Sequence, residues 1–237
     1  MTTNKSKDEM FEFKTFNAID EEYLHTDKHI HTTWGDGRSS VAELIAQAER
    51  IGLKQIAFTE HIRSESTYFP RYLKEIESTR SYCDIDILVG FEAKIMNFSG
   101  AVDVSKSVIK KANIKIASVH RFPLGRKLVD PSKLSKGICQ EIELELAIAA
   151  IKKRECNVLG HAGGMSLKSH NEFPADFFEE IIIECKKNDV AFDLNSFYHM
   201  PVIDNLKKML RIHNPYVSFG SDAHHVNDLG GWIQNWA

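Results

Sequence analysis

Histidines recur at one kind of position in this chain, the carboxyl end of a predicted β-strand. Six of the 11 histidines lie at or just beyond such ends: His29, His31, His61, His120, His161 and His224. Three carboxylates accompany them. Asp36 and Asp222 lie close in the sequence to His31 and His224, and Glu92 lies late in another predicted strand. A single histidine at a strand end is more often structural, but this repeated combination predicts a metal site.

The spacing of these residues indicates how they could share metal ions. His29 and His31 are two residues apart on a predicted strand, so both imidazoles project from one face and can meet one metal. Asp222 and His224 show the same spacing on the last predicted strand. All the donors are nitrogen or oxygen atoms, which suits Mn²⁺, Zn²⁺ or Fe²⁺ and does not discriminate among them.

Seven short β-rich segments alternate with segments of helical periodicity. The predicted strands are 27–33, 55–61, 86–95, 114–120, 157–162, 190–197 and 216–224. Ser40 and Glu43 form a capping box for a helix that Gly52 ends, Pro131 and Pro174 open two further helical segments, and 203–213 forms another. This alternation predicts an α/β fold with a parallel sheet, either a closed barrel or an open doubly wound sheet.

Two observations bear on that choice and on the place of the site. No GxGxxG follows the first strand, so the dinucleotide-binding form of the open sheet loses support. In a parallel barrel the βα loops converge at the carboxyl ends of the strands, where these histidines lie. The sequence therefore predicts that the metal site lies at this end of a barrel.

Composition limits the class of protein. The chain has 237 residues, of which 43% are hydrophobic, enough for one substantial core. A net charge of −3 provides no global field for nucleic acid or an anionic membrane, and no apolar run resembles a membrane span or a signal peptide. The four cysteines form no CxxC and are predicted to be free thiols. We therefore expect a cytoplasmic protein, with an N-terminal tail or packing arm at 1–24 and one domain at 25–237.

The ordered motifs resemble those of the PHP (polymerase and histidinol phosphatase) family. The opening motif comprises Asp27-Lys-His29-Ile-His31 and Gly35-Asp36-Gly37. Five further motifs follow in the family's order: Thr59-Glu60-His61, Gly90-Phe91-Glu92, Ser118-Val119-His120, Gly160-His161-Ala162 and Gly220-Ser221-Asp222-Ala223-His224. An HxH motif alone is weak, but this ordered set, which spans about residues 27–230, is specific.

The resemblance implies a single-domain, distorted (β/α)7 TIM-like barrel that binds three divalent metal ions (Zn, Mn or Fe). By this resemblance the first metal is held by His29, His31, Glu92 and Asp222. Bridging Glu92 holds the second with His120 and His161, and the third is held by Asp36, His61 and His224. Because few residues follow the last motif, barrel closure is expected to rely on the N-terminal tail or a partner subunit, so a homo-oligomer is left open.

Charge accounting favours a phosphate monoester as substrate. Three divalent ions, three carboxylates and a metal-bridging hydroxide leave a charge of about +2, which a monoester dianion matches and a neutral amide does not. We expect in-line attack by that hydroxide. Glu92 is predicted to take part in catalysis as the bridging ligand. Asp222, or a neighbouring histidine such as His224, is predicted to accept the proton from the bound water. In related amidohydrolase barrels a carbamylated lysine forms the bridge, and Lys94 is the nearest lysine that could compete with Glu92.

Arginines just beyond two motif histidines are candidate substrate-binding residues. Arg63 and Arg121 could make forked contacts with phosphate, while Lys94, His199 and His225 are weaker candidates. The predicted function is hydrolysis of a small phosphorylated metabolite, with histidinol phosphate as the family's named example. The alternatives are a phosphodiesterase or exonuclease with the same site, disfavoured by the lack of basic surface excess, and a non-catalytic metal-stabilised domain, disfavoured by the complete ligand set.

Overall fold

The computed structural model describes residues 13–125 and 127–236, except the side chains of residues 234 and 235. Its strands are β1 (Lys14–Thr15), β2 (Thr26–Ile30), β3 (Gln55–His61), β4 (Asp86–Lys94), β5 (Ile114–Ser118), β6 (Phe122–Leu124), β7 (Lys127–Val129), β8 (Val158–Leu159), β9 (Ala191–Asn195) and β10 (Tyr216–Gly220). Its α-helices are α1 (Glu21–Leu24), α2 (Val41–Arg50), α3 (Phe69–Thr79), α4 (Lys106–Ile109), α5 (Lys136–Lys153), α6 (Gly164–His170), α7 (Ala175–Asn188), α8 (Ser196–His199), α9 (Ile203–His213) and α10 (Gly231–Asn235).

Seven parallel strands form the wall of a distorted barrel, in the order β2-β3-β4-β5-β8-β9-β10. The wall closes between β2 and β10 at the bridge Ile30–Ala223, where the His31 N–H donates to the Ala223 carbonyl at 2.9 Å. The register of β2 shifts between Asp27 and Ile30, and β8 is only two residues long. The closed α/β form of the two predicted alternatives is therefore confirmed, with all seven predicted strands in place.

Helices cover the outside of this barrel because their apolar residues recur on one face. In α2 the buried residues Val41, Leu44, Ile45 and Ala48 follow the spacing of a single helical face. The predicted capping box begins this helix, with the Ser40 hydroxyl accepting from the backbone of residue 43 and the Glu43 carboxylate accepting from the backbone of residue 40. In the described residues, no helix combines the length and apolarity that a bilayer crossing requires.

The segment before β2 packs against the barrel. Residues 1–24 were expected to be a tail or packing arm, and within them β1 pairs antiparallel with β10, with Lys14 opposite Val217. Phe13 is buried and clusters with Ala57, Leu88 and Ile116, whose side chains face the barrel interior. Thus β1 pairs with the first residues of β10. This pairing lies at the opposite end of the barrel from the bridge Ile30–Ala223, which closes the wall. Residues 1–12 of the predicted tail lie outside the described residues.

Candidate metal centre

The nine predicted ligand residues converge at the carboxyl ends of the parallel strands. β2 and the residue after it carry two histidines, β3 ends on one, and β4 carries the central glutamate. Loops just beyond β2, β5, β8 and β10 supply the others. The residues brought together in this way are His29, His31, Asp36, His61, Glu92, His120, His161, Asp222 and His224.

Glu92 lies at the centre of the cluster and is fully buried. Five imidazole nitrogens lie 3.0–3.6 Å from its carboxylate oxygens, from His29, His31, His61, His120 and His161. Burial by itself raises the pKa of Glu92, but the surrounding imidazoles hold it well below its ordinary value. Glu92 is thus an anion that faces imidazoles from four strands or their following loops.

Asp222 forms the second carboxylate of the cluster. Its Oδ1 lies 3.1 Å from His31 Nε2 and 3.7 Å from His29 Nε2. Together with Glu92, these residues present four donor atoms that all lie within 4.8 Å of one another. The four are the set that the family resemblance assigns to the first metal, and that assignment stays a prediction.

Two further groups of donors share the same spacing limit of 4.8 Å. One contains His31 in addition to the three residues predicted for the third metal, Asp36, His61 and His224. The other contains His61, Glu92 and His120. This group contains His61, whereas the resemblance assigns His161 to the second metal. His161 Nε2 also lies close to the glutamate, 3.0 Å from Glu92 Oε1. The geometry therefore groups the donors nearly, but not fully, as the resemblance does.

Divalent metals fit this donor set. Two ligands of one tetrahedral zinc, each about 2.1 Å from the metal, lie about 3.4 Å apart, and most of the nitrogen–oxygen separations are of this size. Buried polar atoms normally have hydrogen-bond partners. In the described residues, however, His29 Nε2, both ring nitrogens of His31 and Glu92 Oε2 have none. Metal ions would give these atoms partners.

The loop after β10 differs from the prediction. Asp222 and His224 were expected on the last strand, but β10 ends at Gly220, and Asp222 in the following loop adopts a left-handed conformation with φ 56°. His224 Nδ1 lies 2.8 Å from the Asp222 carbonyl oxygen, and its Nε2 lies 3.4 Å from Asp36 Oδ1. The bond to Asp36 raises the pKa of His224 to about 9, and the same bond lowers the pKa of Asp36 to about 2.

A carboxylate that the sequence analysis missed supports His29. Asp193 in β9 is buried, and its Oδ2 lies 3.0 Å from His29 Nδ1. The same oxygen accepts from the backbone N–H of His161 at 3.2 Å. A histidine that binds a metal through one ring nitrogen commonly donates a hydrogen bond from the N–H of the other to a carboxylate, which fixes the tautomer. The available signal was a single charged residue within the apolar segment VAFDLN.

Asp27, two residues before His29, is buried, and its Oδ1 accepts from the His29 backbone N–H at 3.4 Å. Its Oδ1 accepts from the Ser221 N–H at 3.0 Å and its Oδ2 from the Gly230 N–H at 2.9 Å. Asp27 therefore joins β2 to the segment after β10 and stabilises barrel closure.

Two cavities open beside the cluster. One, of about 320 Å³, is lined by Arg63, Lys94, Asp103 and Arg121 in addition to cluster residues. The other, of about 460 Å³, is lined by several residues outside the cluster, namely Arg38, Lys168, Phe197, Tyr198 and Asp228. The predicted substrate-binding arginines thus both face the first cavity, and a substrate could approach the cluster from either side.

The two remaining histidine candidates have structural contacts. His199 is buried, accepts from the Asn195 N–H at 3.1 Å, and its Nε2 lies 2.8 Å from the Ala162 carbonyl. Burial lowers its pKa to about 4, so this ring is neutral and supports the loop that carries His161. His225 accepts from the Asn227 N–H at 3.2 Å and caps the short turn that follows it.

Comparison with known proteins supports one family. The PHP domain model matches residues 27–197. A protein of Caldicellulosiruptor bescii named probable phosphatase is 26% identical over 220 residues, covering 88% of this chain and 83% of that protein. A protein of Vibrio atlanticus with the same description is 28% identical over 220 residues, covering 88% and 81%.

A solved structure shares the fold. It is histidinol phosphate phosphatase from Lactococcus lactis, complexed with zinc, L-histidinol and phosphate. It aligns with a TM-score of 0.68 at 18% sequence identity, covering 88% of this chain and 92% of that one. At this identity the alignment shows a common fold.

Proposed function

Because the chain belongs to the PHP domain family, we propose that it is a metal-dependent phosphatase that hydrolyses small phosphate monoesters. The observation that carries this proposal is the convergence of five imidazoles on the buried carboxylate of Glu92. The relatives named probable phosphatase support it, since their similarity extends over nearly nine tenths of this chain.

The cluster is proposed to hold three divalent ions, Zn, Mn or Fe, with the ligands that the resemblance assigns. When bound, such ions supply Lewis acidity, which lowers the pKa of a coordinated water toward neutrality and offsets charge on phosphoryl oxygens. Glu92 can serve two ions because its two oxygens face different groups of imidazoles. His224 must lose its proton to become a ligand, so metal binding at its group would release protons.

Asp222 is the proposed proton acceptor. Its side chain is 11% exposed, whereas that of Glu92 is fully buried, so Asp222 can meet a water molecule or a substrate. The side chain of His224 is 33% exposed beside Asp222, which makes His224 the second candidate. Arg63 and Arg121 are proposed to bind the substrate from the cavity that they line.

The sizes of the two cavities favour a small-molecule substrate. Their volumes, about 320 and 460 Å³, lie at the lower end of the range of metabolite-binding pockets. The net charge of −3 adds no general attraction for a polyanion.

A comparison of p-nitrophenyl phosphate with bis-p-nitrophenyl phosphate tests the proposal. With metal-loaded protein above pH 7, we expect kcat/KM for the monoester to exceed that for the diester by about tenfold or more. The reason is electrostatic, because a dianion balances the residual positive charge and a monoanion leaves about one charge unpaired. Faster hydrolysis of the diester would contradict the phosphomonoesterase proposal and favour a phosphodiesterase.

A further inference from the structure

The cavity beside His61 and His120 is lined by more positive than negative charge. We call it the basic cavity and define it by Arg63, Lys94, Asp103 and Arg121, its charged lining residues outside the metal cluster. Three of the four are cations, in a protein whose net charge is −3. The positive charge is therefore a local feature of this cavity.

The cations of the basic cavity are only partly neutralised. Arg121 Nη1 lies 2.7 Å from Asp130 Oδ2. Within the part of the chain that the structure describes, Arg63 and Lys94 have no carboxylate partner within 4.0 Å. Asp103 forms hydrogen bonds instead of an ion pair, because its Oδ1 accepts from the hydroxyl of Ser64 at 2.6 Å and from the Ser64 backbone N–H at 3.2 Å.

Lys94 connects this cavity to the reacting centre. It is the last residue of β4 and follows Glu92 by two positions, so both side chains leave the strand on the same face. Two residues of a strand span about 6.6 Å. Lys94 is half-buried at the mouth of the site, where a group attached to a bound phosphate through a short linker would reach it.

A single phosphate does not account for these cations. In the proposed function, the charge of the metal cluster already balances a monoester dianion. About one positive charge then remains in the basic cavity after Asp103 and Asp130 are counted. Lys94 is half-buried there, and a charge without a counterion is unfavourable in such a position.

We propose that Arg63, Lys94 and Arg121 form a subsite for a second anionic group of the substrate, one that is not hydrolysed. This inference rests on the proposed phosphatase function and gives its substrate class: phosphate monoesters that also carry a carboxylate or a second phosphate a few bonds away. Monoesters that carry an ammonium group at that position are disfavoured, because the group would face the same cations.

Three substrates of similar size test the charge preference. They are 3-phosphoglycerate, glycerol 3-phosphate and phosphoethanolamine, which carry a carboxylate, no charge and an ammonium group beside the phosphate. We expect kcat/KM to decrease in that order, with the carboxylate substrate ahead of the neutral one by about tenfold or more, mainly through KM. Equal values, or the reverse order, would overturn the proposal.

Substitution of the lysine assigns the preference to the cavity. In Lys94→Met, the ratio of kcat/KM for 3-phosphoglycerate to that for glycerol 3-phosphate should fall by about fivefold or more. Lys153→Met is the matched control, because it removes one exposed lysine at the end of α5 and should keep the wild-type ratio. An unchanged ratio in Lys94→Met would contradict the assignment.

Arg63→Gln is the second variant, and it carries the test if Lys94→Met does not fold by circular dichroism. The ratio should fall in it as well. If the wild type hydrolyses all three substrates with equal kcat/KM, the subsite proposal is refuted and the phosphatase proposal stands. Failure of the metal-loaded wild type to hydrolyse these substrates and p-nitrophenyl phosphate would instead refute the proposed function.

Discussion

Glu92 is the residue on which the account of the site depends most. Its buried carboxylate faces five imidazoles, and no single amide oxygen could replace its two anionic oxygens. The order of motifs in the sequence predicted this residue and the eight around it. Asp193 was not predicted, because its contact with His29 joins residues 164 positions apart and no motif contains it.

Substitution of Glu92 by glutamine should abolish most of the activity. We expect kcat for p-nitrophenyl phosphate to fall by about 100-fold or more, a loss typical of removing an element that stabilises or generates the reacting charges. Metal content, measured by elemental analysis, should fall as well. Glu145→Gln makes the same chemical change at an exposed position of α5 and should match the wild type. A Glu92→Gln variant with wild-type kcat would show that the bridging role is misassigned.

At the scale of elements, the alternation of strands and helices predicted the barrel wall, and the short elements were missed. Six of the seven wall strands lie where predicted β-rich segments end in motif residues, and β9 lies in a predicted segment that carries no motif. The hairpin β6–β7, which follows His120, and the two-residue strand β1 were not predicted. Such short strands depend on tertiary pairing more than on their own residues, so no periodicity marks them.

The arm before β2 should contribute measurably to stability. Phe13 is 5% exposed and packs with residues of the barrel interior, so Phe13→Ala should lower the free energy of unfolding by about 3–5 kcal/mol. In a domain of this size, that corresponds to a decrease of about 6 °C or more in the thermal midpoint. Phe98→Ala, at a side chain 46% exposed, is the control and should change the midpoint little. Equal midpoints for the two variants would show that Phe13 does not stabilise the barrel.

At the scale of the whole molecule, the sequence predicted the fold and the site better than the substrate. The fold follows from repeated patterns, and the ligand residues follow from motifs at fixed strand ends. The basic cavity joins Arg63, Lys94 and Arg121, which follow three different motif residues along the chain. Their shared cavity appears only when β3, β4 and β5 lie side by side. Substrate charge preference therefore had to be inferred from the structure.

Metal dependence is the central claim, and chelation with elemental analysis tests it most directly. As purified, the protein should carry about two to three equivalents of Zn, Mn or Fe. Removal of these ions by a chelator should reduce hydrolysis of p-nitrophenyl phosphate to background, and their return should restore it in proportion to metal content. Protein that retains full activity with less than about one equivalent of metal would contradict the account.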